Sequence, residues 1–320
     1  MKVLFGPTIM ALEGALGDLR ERFPEVEFEY CPEVGDLNQA IRSADVFVGS
    51  MSEDLFRDAQ RLKWIQSPSS GVDKYLSIPQ LAAGDVLLTS ASGTHGPGLA
   101  ESTLGTMLAF NRGLLTSVFR QQARQWSASE LRPVLLELTG MTLGILGFGA
   151  FGQHLAARAQ AFGMRILAID ICALEKPEYV SQLWGPERLD DLLGESDYLV
   201  VALPLTAETE NLITAEKIAL MKPSAMLLAM SRGGIVDQDA VARALNEKRL
   251  RAAALEVMRP EPLPADSTLW DVENLLITSH IAGGTQHERR YVIEIFCDNL
   301  ERLLAGNLPL RNQVDKGAGY

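Results

Sequence analysis

Residues 142–152 read TLGILGFGAFG, an apolar run that ends in three glycines spaced G-x-G-x-x-G at Gly147, Gly149 and Gly152. Such spacing is common in βα connections, so its meaning depends on what surrounds it. Here a short apolar run precedes it. The helical pattern AFGQHLAARAQAFG follows, and then a second apolar run, RILAID, that ends in Asp170. Strand, turn, helix, strand and acid in this order form a dinucleotide-binding unit. Gly147 would permit the tight turn, Gly149 would let the backbone approach a pyrophosphate, and Gly152 would let helix and strand pack closely. The free N–H groups and positive end of the helix would face the phosphates. Asp170 stands where a carboxylate accepts hydrogen bonds from a ribose. A 2′-phosphate beside it would meet repulsion of roughly 1–4 kcal/mol at ~4 Å. Ile171 and Cys172 bring no cation to offset that, so the expected cofactor is NAD rather than NADP.

A chain of 320 residues is too long for one typical domain. Short apolar runs alternate with helical patterns twice over. KVLF, VEFEY, DVFVG, LKWIQ and VLLTS form the first series, with helical patterns such as Ile9–Arg22 and Leu37–Ser43 between them. A long, proline-free helical pattern runs from Gly98 to Trp126. TLGIL, RILAID, YLVVAL, AMLLAM, AAALEV and LLITS form the second series, and a helical stretch at Gln286–Leu304 precedes an irregular tail. Uninterrupted apolar runs suit parallel strands buried on both faces. The expected fold class is α/β, with two doubly wound parallel-sheet domains.

Composition narrows the function classes. Asp and Glu number 41 against 29 Lys and Arg, a net charge of −12, which disfavours nucleic acid and anionic membranes as partners. Cys31, Cys172 and Cys297 form no metal-like or disulfide-like pattern, and no metal is expected. The N-terminal stretch lacks a secretory pattern and no run is long enough to span a bilayer, so a reduced, cytoplasmic location is expected.

Three strands of the second series run directly into ionisable residues. AMLLAM leads to Arg232, AAALEV to Glu261, and LLITS to His280. Carboxyl ends of parallel strands are where such sheets bind ligands, so all three should gather at the edge that carries the glycine turn. His95, His154 and His287 lack this strand-end setting.

With GILGFGAFG, MKPSAMLLAMSRGGIVD, ALEVMRPEPLP and TSHIAGGT in this order, the sequence resembles the D-isomer-specific 2-hydroxyacid dehydrogenases over essentially its whole length. The resemblance implies a Rossmann NAD-binding domain, 100–285, inserted in a flavodoxin-like substrate domain, 1–99 and 286–320. A hinge is expected near Gly98 and Gly283. It implies interconversion of a 2-oxo acid, the small-molecule partner, and a D-2-hydroxy acid. Arg232 would bind the substrate carboxylate and carbonyl oxygen, a task suited to a planar, permanently charged fork. His280 would be the general acid/base, and Glu261 would favour its protonated form. Ser69, Ser70 and Gly71 would hold the substrate carboxylate. Ala150, Phe151, Leu203, Pro204, Thr209, Met230, Ser231, Glu256 and Gly283 would add cofactor contacts. Met51 and Trp126 are further candidates for the pocket, with a buried packing role the alternative for Trp126. The segment after Gly98 would take part in a two-fold homodimer.

Two positions depart from the commonest family pattern. Glu256 stands where an Asp usually contacts the nicotinamide carboxamide, and Ala229 stands where an Asn is common. The competing function class is an NAD(H)-sensing binding protein of corepressor type with little or no turnover.

Overall fold

The computed structural model describes residues 1–319. Two compact units divide the chain. One comprises Met1–His95 and the chain from Thr285 onward; the other is Gly96–Gly284. The sequence boundary drawn at residue 99 falls inside a helix, Gly96–Asn111, so the cut moves to that helix's first residue.

In the first unit, β1 (Lys2–Phe5), β2 (Glu27–Tyr30), β3 (Val46–Val48), β4 (Trp64–Gln66) and β5 (Leu87–Thr89) form a parallel sheet of order β2-β1-β3-β4-β5. Alternate residues enter opposite cores: Val3, Phe5, Val46, Val48 and Trp64 on one face, Leu4, Phe47 and Ile65 on the other. This is why the sequence shows runs rather than alternation. The helix Glu288–Leu304 returns to this unit. Its Phe296 stacks on Trp64 and meets Phe5 edge-on, both at 5.4 Å between ring centroids. The tail that follows is anchored: Asn299 accepts from the Arg311 N–H at 2.6 Å, and the Val314 N–H donates to the Leu88 carbonyl at 2.9 Å.

The second unit holds β6 (Thr142–Leu146), β7 (Arg165–Ile169), β8 (Gln182–Trp184), β9 (Tyr198–Val201), β10 (Met226–Ala229), β11 (Ala252–Leu255) and β12 (Leu275–Ile277). All pair in parallel in the order β12-β11-β10-β9-β6-β7-β8. The direction of winding reverses between β6 and β9, so the turn after β6 lies at a topological switch point, where doubly wound sheets bind nucleotides.

The structure corrects three sequence expectations. The strand β8 is unanticipated. The helical pattern from Gly98 to Trp126 is not one helix: it stops after Asn111, and a second helix, Leu114–Gln122, begins beyond Gly113. Gly113 has φ 63°, a left-handed conformation that glycine adopts at no steric cost and that turns the chain out of the first helix. Trp126 is not packed at all, being 96% exposed.

Candidate active site

The turn after β6 is built by its glycines. Gly147 has φ 104°, and a methyl group there would stand 2.9 Å from the Ala202 carbonyl group that follows β9. At Gly152, one turn into the helix Ala150–Ala159, a methyl group would run into the Gly147 carbonyl oxygen. Gly149 differs: nothing lies within 4 Å of where its Cβ would be. Gly147 and Gly152 are therefore demanded by packing inside the turn, while Gly149 leaves open space at a helix N-terminus. The N-cap residue of that helix is Gly149, which has no side chain to cap it. A pyrophosphate fits such a cradle, with open room above Gly149 and uncapped N–H groups below it.

Asp170 closes the turn from the next strand. Its Oδ2 accepts from the Phe148 N–H at 2.7 Å, and its Oδ1 accepts from the Cys172 N–H at 2.9 Å. Each carboxylate oxygen retains a second lone pair, so the residue can brace the turn and still accept from a ribose hydroxyl. Around the rim, Ala150 and Phe151 open the helix. Leu203 and Pro204 follow β9, and Thr209 donates to the Pro204 carbonyl at 2.7 Å, fixing that loop. Met230 is buried after β10, and its N–H donates to the Val201 carbonyl at 3.2 Å. The Ser231 hydroxyl oxygen is buried with no hydrogen-bond partner among the described residues. A buried hydroxyl without a partner costs about 1–3 kcal/mol, which a bound ligand would relieve.

The ionisable residues are brought together by contacts between three adjacent loops. Arg232 follows β10 and donates to the Ser231 carbonyl at 2.7 Å. At the next residue, Gly233, any side chain would collide with the Met258 carbonyl of the loop after β11. The Met258 N–H donates to Glu261 Oε1 at 3.0 Å. The other oxygen of Glu261, Oε2, lies 2.9 Å from His280 Nδ1 in the loop after β12. One carboxylate thus joins the loop after β11 to the histidine. With Nδ1 donating to the carboxylate, Nε2 has no hydrogen-bond partner among the described residues. The His280 side chain is about half exposed, at 46%.

Glu256, a candidate cofactor contact, lies at the end of β11. It is 2% exposed, and both oxygens are engaged within the protein: Oε1 accepts from the Ala282 N–H and Oε2 from the Thr278 hydroxyl. These two donors flank His280. Gly283 follows them, two residues before the chain passes back to the first unit. Ala229 is buried in β10, where its carbonyl accepts from the Glu256 N–H at 3.0 Å.

The loop after β4 was expected to carry Ser69, Ser70 and Gly71 as substrate contacts. In the first unit, Ser69 is fixed by its N–H to Ser67 Oγ at 3.1 Å and by its carbonyl to the Ala91 N–H at 3.0 Å. The N–H groups of Ser70 and Gly71 have no acceptor among the described residues. Successive main-chain N–H groups in a turn are one way in which proteins bind anions. Met51 is buried in the core of this unit. Two residues that sequence reasoning passed over also belong to this loop's surroundings. His95 lies 2.9 Å from Ser70 Oγ through Nδ1 and 3.3 Å from Glu288 through Nε2. Neither residue follows a strand of the second series, and only the folded first unit brings them to the loop.

Among the described residues no cluster of His, Cys, Asp and Glu could hold a metal ion, and no helix is long and apolar enough to cross a membrane. A nucleotide turn at the switch point, with an imidazole–carboxylate pair and an arginine on neighbouring loops, defines a dinucleotide-dependent oxidoreductase. Residues 104–282, more than half of the chain, match the model of the D-isomer specific 2-hydroxyacid dehydrogenase NAD binding domain. The chain is 32% identical over 310 residues to the glyoxylate reductase of Thermococcus litoralis, covering 92% of each. It is also 32% identical over 280 residues to the D-3-phosphoglycerate dehydrogenase of Methanocaldococcus jannaschii, covering 85% of this chain but only about half, 52%, of that longer relative. Among solved structures, a D-isomer specific 2-hydroxyacid dehydrogenase family protein from Aeromonas salmonicida superposes with a TM-score of 0.88 at 30% identity, covering 98% of both chains. An NADPH-dependent glyoxylate/hydroxypyruvate reductase from Sinorhizobium meliloti, in complex with NADP and sulfate, superposes at 0.86 with 26% identity over the full length of both. The chain belongs to the D-isomer specific 2-hydroxyacid dehydrogenase family.

Proposed function

We propose that this protein reduces a 2-oxo acid to the D-2-hydroxy acid, reversibly, with NADH. Bound at the Gly147–Gly152 turn, the cofactor supplies or accepts the hydride. The residues of the chain do the rest. Arg232, a planar fork, binds the carboxylate and polarises the carbonyl oxygen, so that negative charge developing there is met by a fixed cation. His280 holds a proton on Nε2 and gives it to that oxygen. Glu261 accepts from Nδ1, fixes the tautomer and orientation of the ring, and balances its positive charge. In the first unit, the N–H groups of Ser70 and Gly71, without an acceptor among the described residues, are the proposed hold for a carboxylate. The observation that carries this reading is the 2.9 Å His280–Glu261 pair in the unit that also holds the nucleotide turn.

The test is loss of NADH absorbance with a panel of glyoxylate, hydroxypyruvate, pyruvate and bulkier 2-oxo acids. Turnover of at least one is expected. Tight NADH binding with none turned over would favour the nucleotide-sensing alternative. On the best substrate, Arg232→Lys should lower kcat/KM by about a hundredfold, with both kcat and KM affected, because an ammonium cannot make the bidentate contact. An effect confined to KM would remove Arg232 from the carbonyl.

Asp170 supports NAD over NADP. Its carboxylate is fixed by two backbone N–H groups, so it cannot swing away from a 2′-phosphate without giving them up. The Sinorhizobium relative holds NADP, so the distinction has to be measured on this chain. We expect kcat/KM at least tenfold higher with NADH than with NADPH; parity between the two would remove this role from Asp170.

A homodimer is supported by an apolar surface on the second unit. Leu114, Val118 and Phe119 of one short helix, with Trp126 and Val134 beyond it, are each at least half exposed. Isolated apolar side chains are ordinary on a surface, but a run of them along one segment fits an interface. A second copy of this chain is its proposed cover, in a reducing, cytoplasmic setting.

A further inference from the structure

We propose that His95, tied to Glu288, is a positioning residue that locks the Ser70–Gly71 cradle in its anion-binding form. This rests on the reading above, in which that loop holds the carboxylate of a 2-oxo acid. All the groups concerned lie in the first unit.

One hydrogen-bond assignment satisfies these groups together. The Thr94 hydroxyl donates to the Ala91 carbonyl at 2.7 Å, so its one proton is committed. Its oxygen also lies 2.9 Å from His95 Nδ1 and can therefore only accept there. Nδ1 must then carry a hydrogen. That same N–H is shared with Ser70 Oγ, also at 2.9 Å, while the Ser70 hydroxyl donates to the Ala91 carbonyl at 3.2 Å. The Ser70 side chain is thus pinned from two sides, by a ring N–H and by a carbonyl. It is turned to the protein, which leaves the loop's main-chain N–H groups for the ligand.

The other ring nitrogen has its own partner. Nε2 stands 3.3 Å from the Glu288 carboxylate, with both side chains largely buried, at 14% and 17% exposure. A lone pair facing a carboxylate oxygen would repel it, so a proton lies between them, on the ring or on the acid. Burial raises the Glu288 carboxyl above its ordinary range, against a backbone hydrogen bond from Thr285 that lowers it, so retention of that proton is favoured. In either form the ring cannot rotate without breaking contacts at both nitrogens. Ser70, His95 and Glu288 come from three distant parts of the sequence. His95 is the residue at which the chain leaves the unit, and Glu288 opens the helix by which it returns.

The closing experiment uses the full-length protein with NADH. His95→Phe keeps a ring of similar size without N–H groups, and Glu288→Ala removes the tie while leaving His95. KM for the best 2-oxo acid should rise about tenfold or more in His95→Phe and by a smaller factor in Glu288→Ala, with kcat and the NADH Kd within about twofold of the wild type. Glu288→Gln, which retains a polar partner for Nε2, should restore most of the loss. Oxalate, a carboxylate probe that is not reduced, should lose the same affinity when titrated by calorimetry into the enzyme–NADH complex. If these variants merely fold less well, kcat per total protein and the melting temperature fall while KM stays, and that pattern overturns the proposal. So does an unchanged oxalate Kd. A wild type that binds oxalate but turns over no 2-oxo acid would defeat the functional reading instead, and the oxalate titration would still decide the role of His95.

Discussion

His280→Ala should lower kcat for 2-oxo acid reduction by about a thousandfold while the NADH Kd stays within a few-fold of the wild type. A positioned proton donor contributes ~10²–10⁴ to such a step. Among the described residues the His280 ring has one hydrogen-bond partner, Glu261 at 2.9 Å from Nδ1, so its removal leaves the nucleotide turn intact. Because the side chain is about half exposed, little packing is lost and the folded fraction should not confuse the result. Stopped-flow hydride transfer and fluorescence titration of NADH, run on the same preparation, separate the two quantities. Unchanged kcat would send the search for the proton donor elsewhere.

Gly152→Ala should weaken NADH binding by about a hundredfold and lower the melting temperature as well. The added methyl group would enter the Gly147 carbonyl oxygen and press on Ile145 Cγ2 at 3.2 Å, so helix and strand must separate. Overpacking of this kind costs about 1–3 kcal/mol, and each 1.4 kcal/mol that falls on the bound state is tenfold in affinity. Gly149→Ala is the control. Its methyl group meets no protein atom, so it should leave stability unchanged and act only through the nucleotide. The contrast between the two variants, read by calorimetric melting with and without NADH, distinguishes a turn built for packing from one built for a ligand. Equal destabilisation by both would contradict the geometry.

Much of this arrangement is legible in the sequence because a buried parallel sheet writes itself as short apolar runs. Eleven such runs were read, and each contains one of the strands of the two sheets. The missed strand, β8, is three residues at a sheet edge, Gln182–Trp184, with no fully buried position, so hydrophobic patterning had nothing to report. The break at Gly113 was missed for a different reason: the apolar content continues across it, and only the left-handed φ of one glycine redirects the chain. The second-unit site could be read because Arg232, Glu261 and His280 each follow a strand, and adjacent strands in a parallel sheet deliver such residues to one edge. The surroundings of Ser70 could not. His95 sits after a turn and Glu288 starts a helix nearly two hundred residues later, so their meeting depends on the fold of the first unit rather than on any local pattern. The grip of Glu256 on Thr278 and Ala282, across the loop after β12, has no local sequence signal either.

That last arrangement bears on how much reordering each catalytic cycle requires. His280 has φ 54°, a conformation that costs a non-glycine residue ~1–2 kcal/mol and that a free loop would relax. It is held there because Glu256, rooted at the end of β11, grips the chain on both sides, at Thr278 before the histidine and at Ala282 after it. The entropy of arranging a mobile catalytic loop, ~1–2 kcal/mol for each residue fixed, is therefore lost once, when the chain folds. In the proposed reaction, substrate would meet a proton donor already held in place.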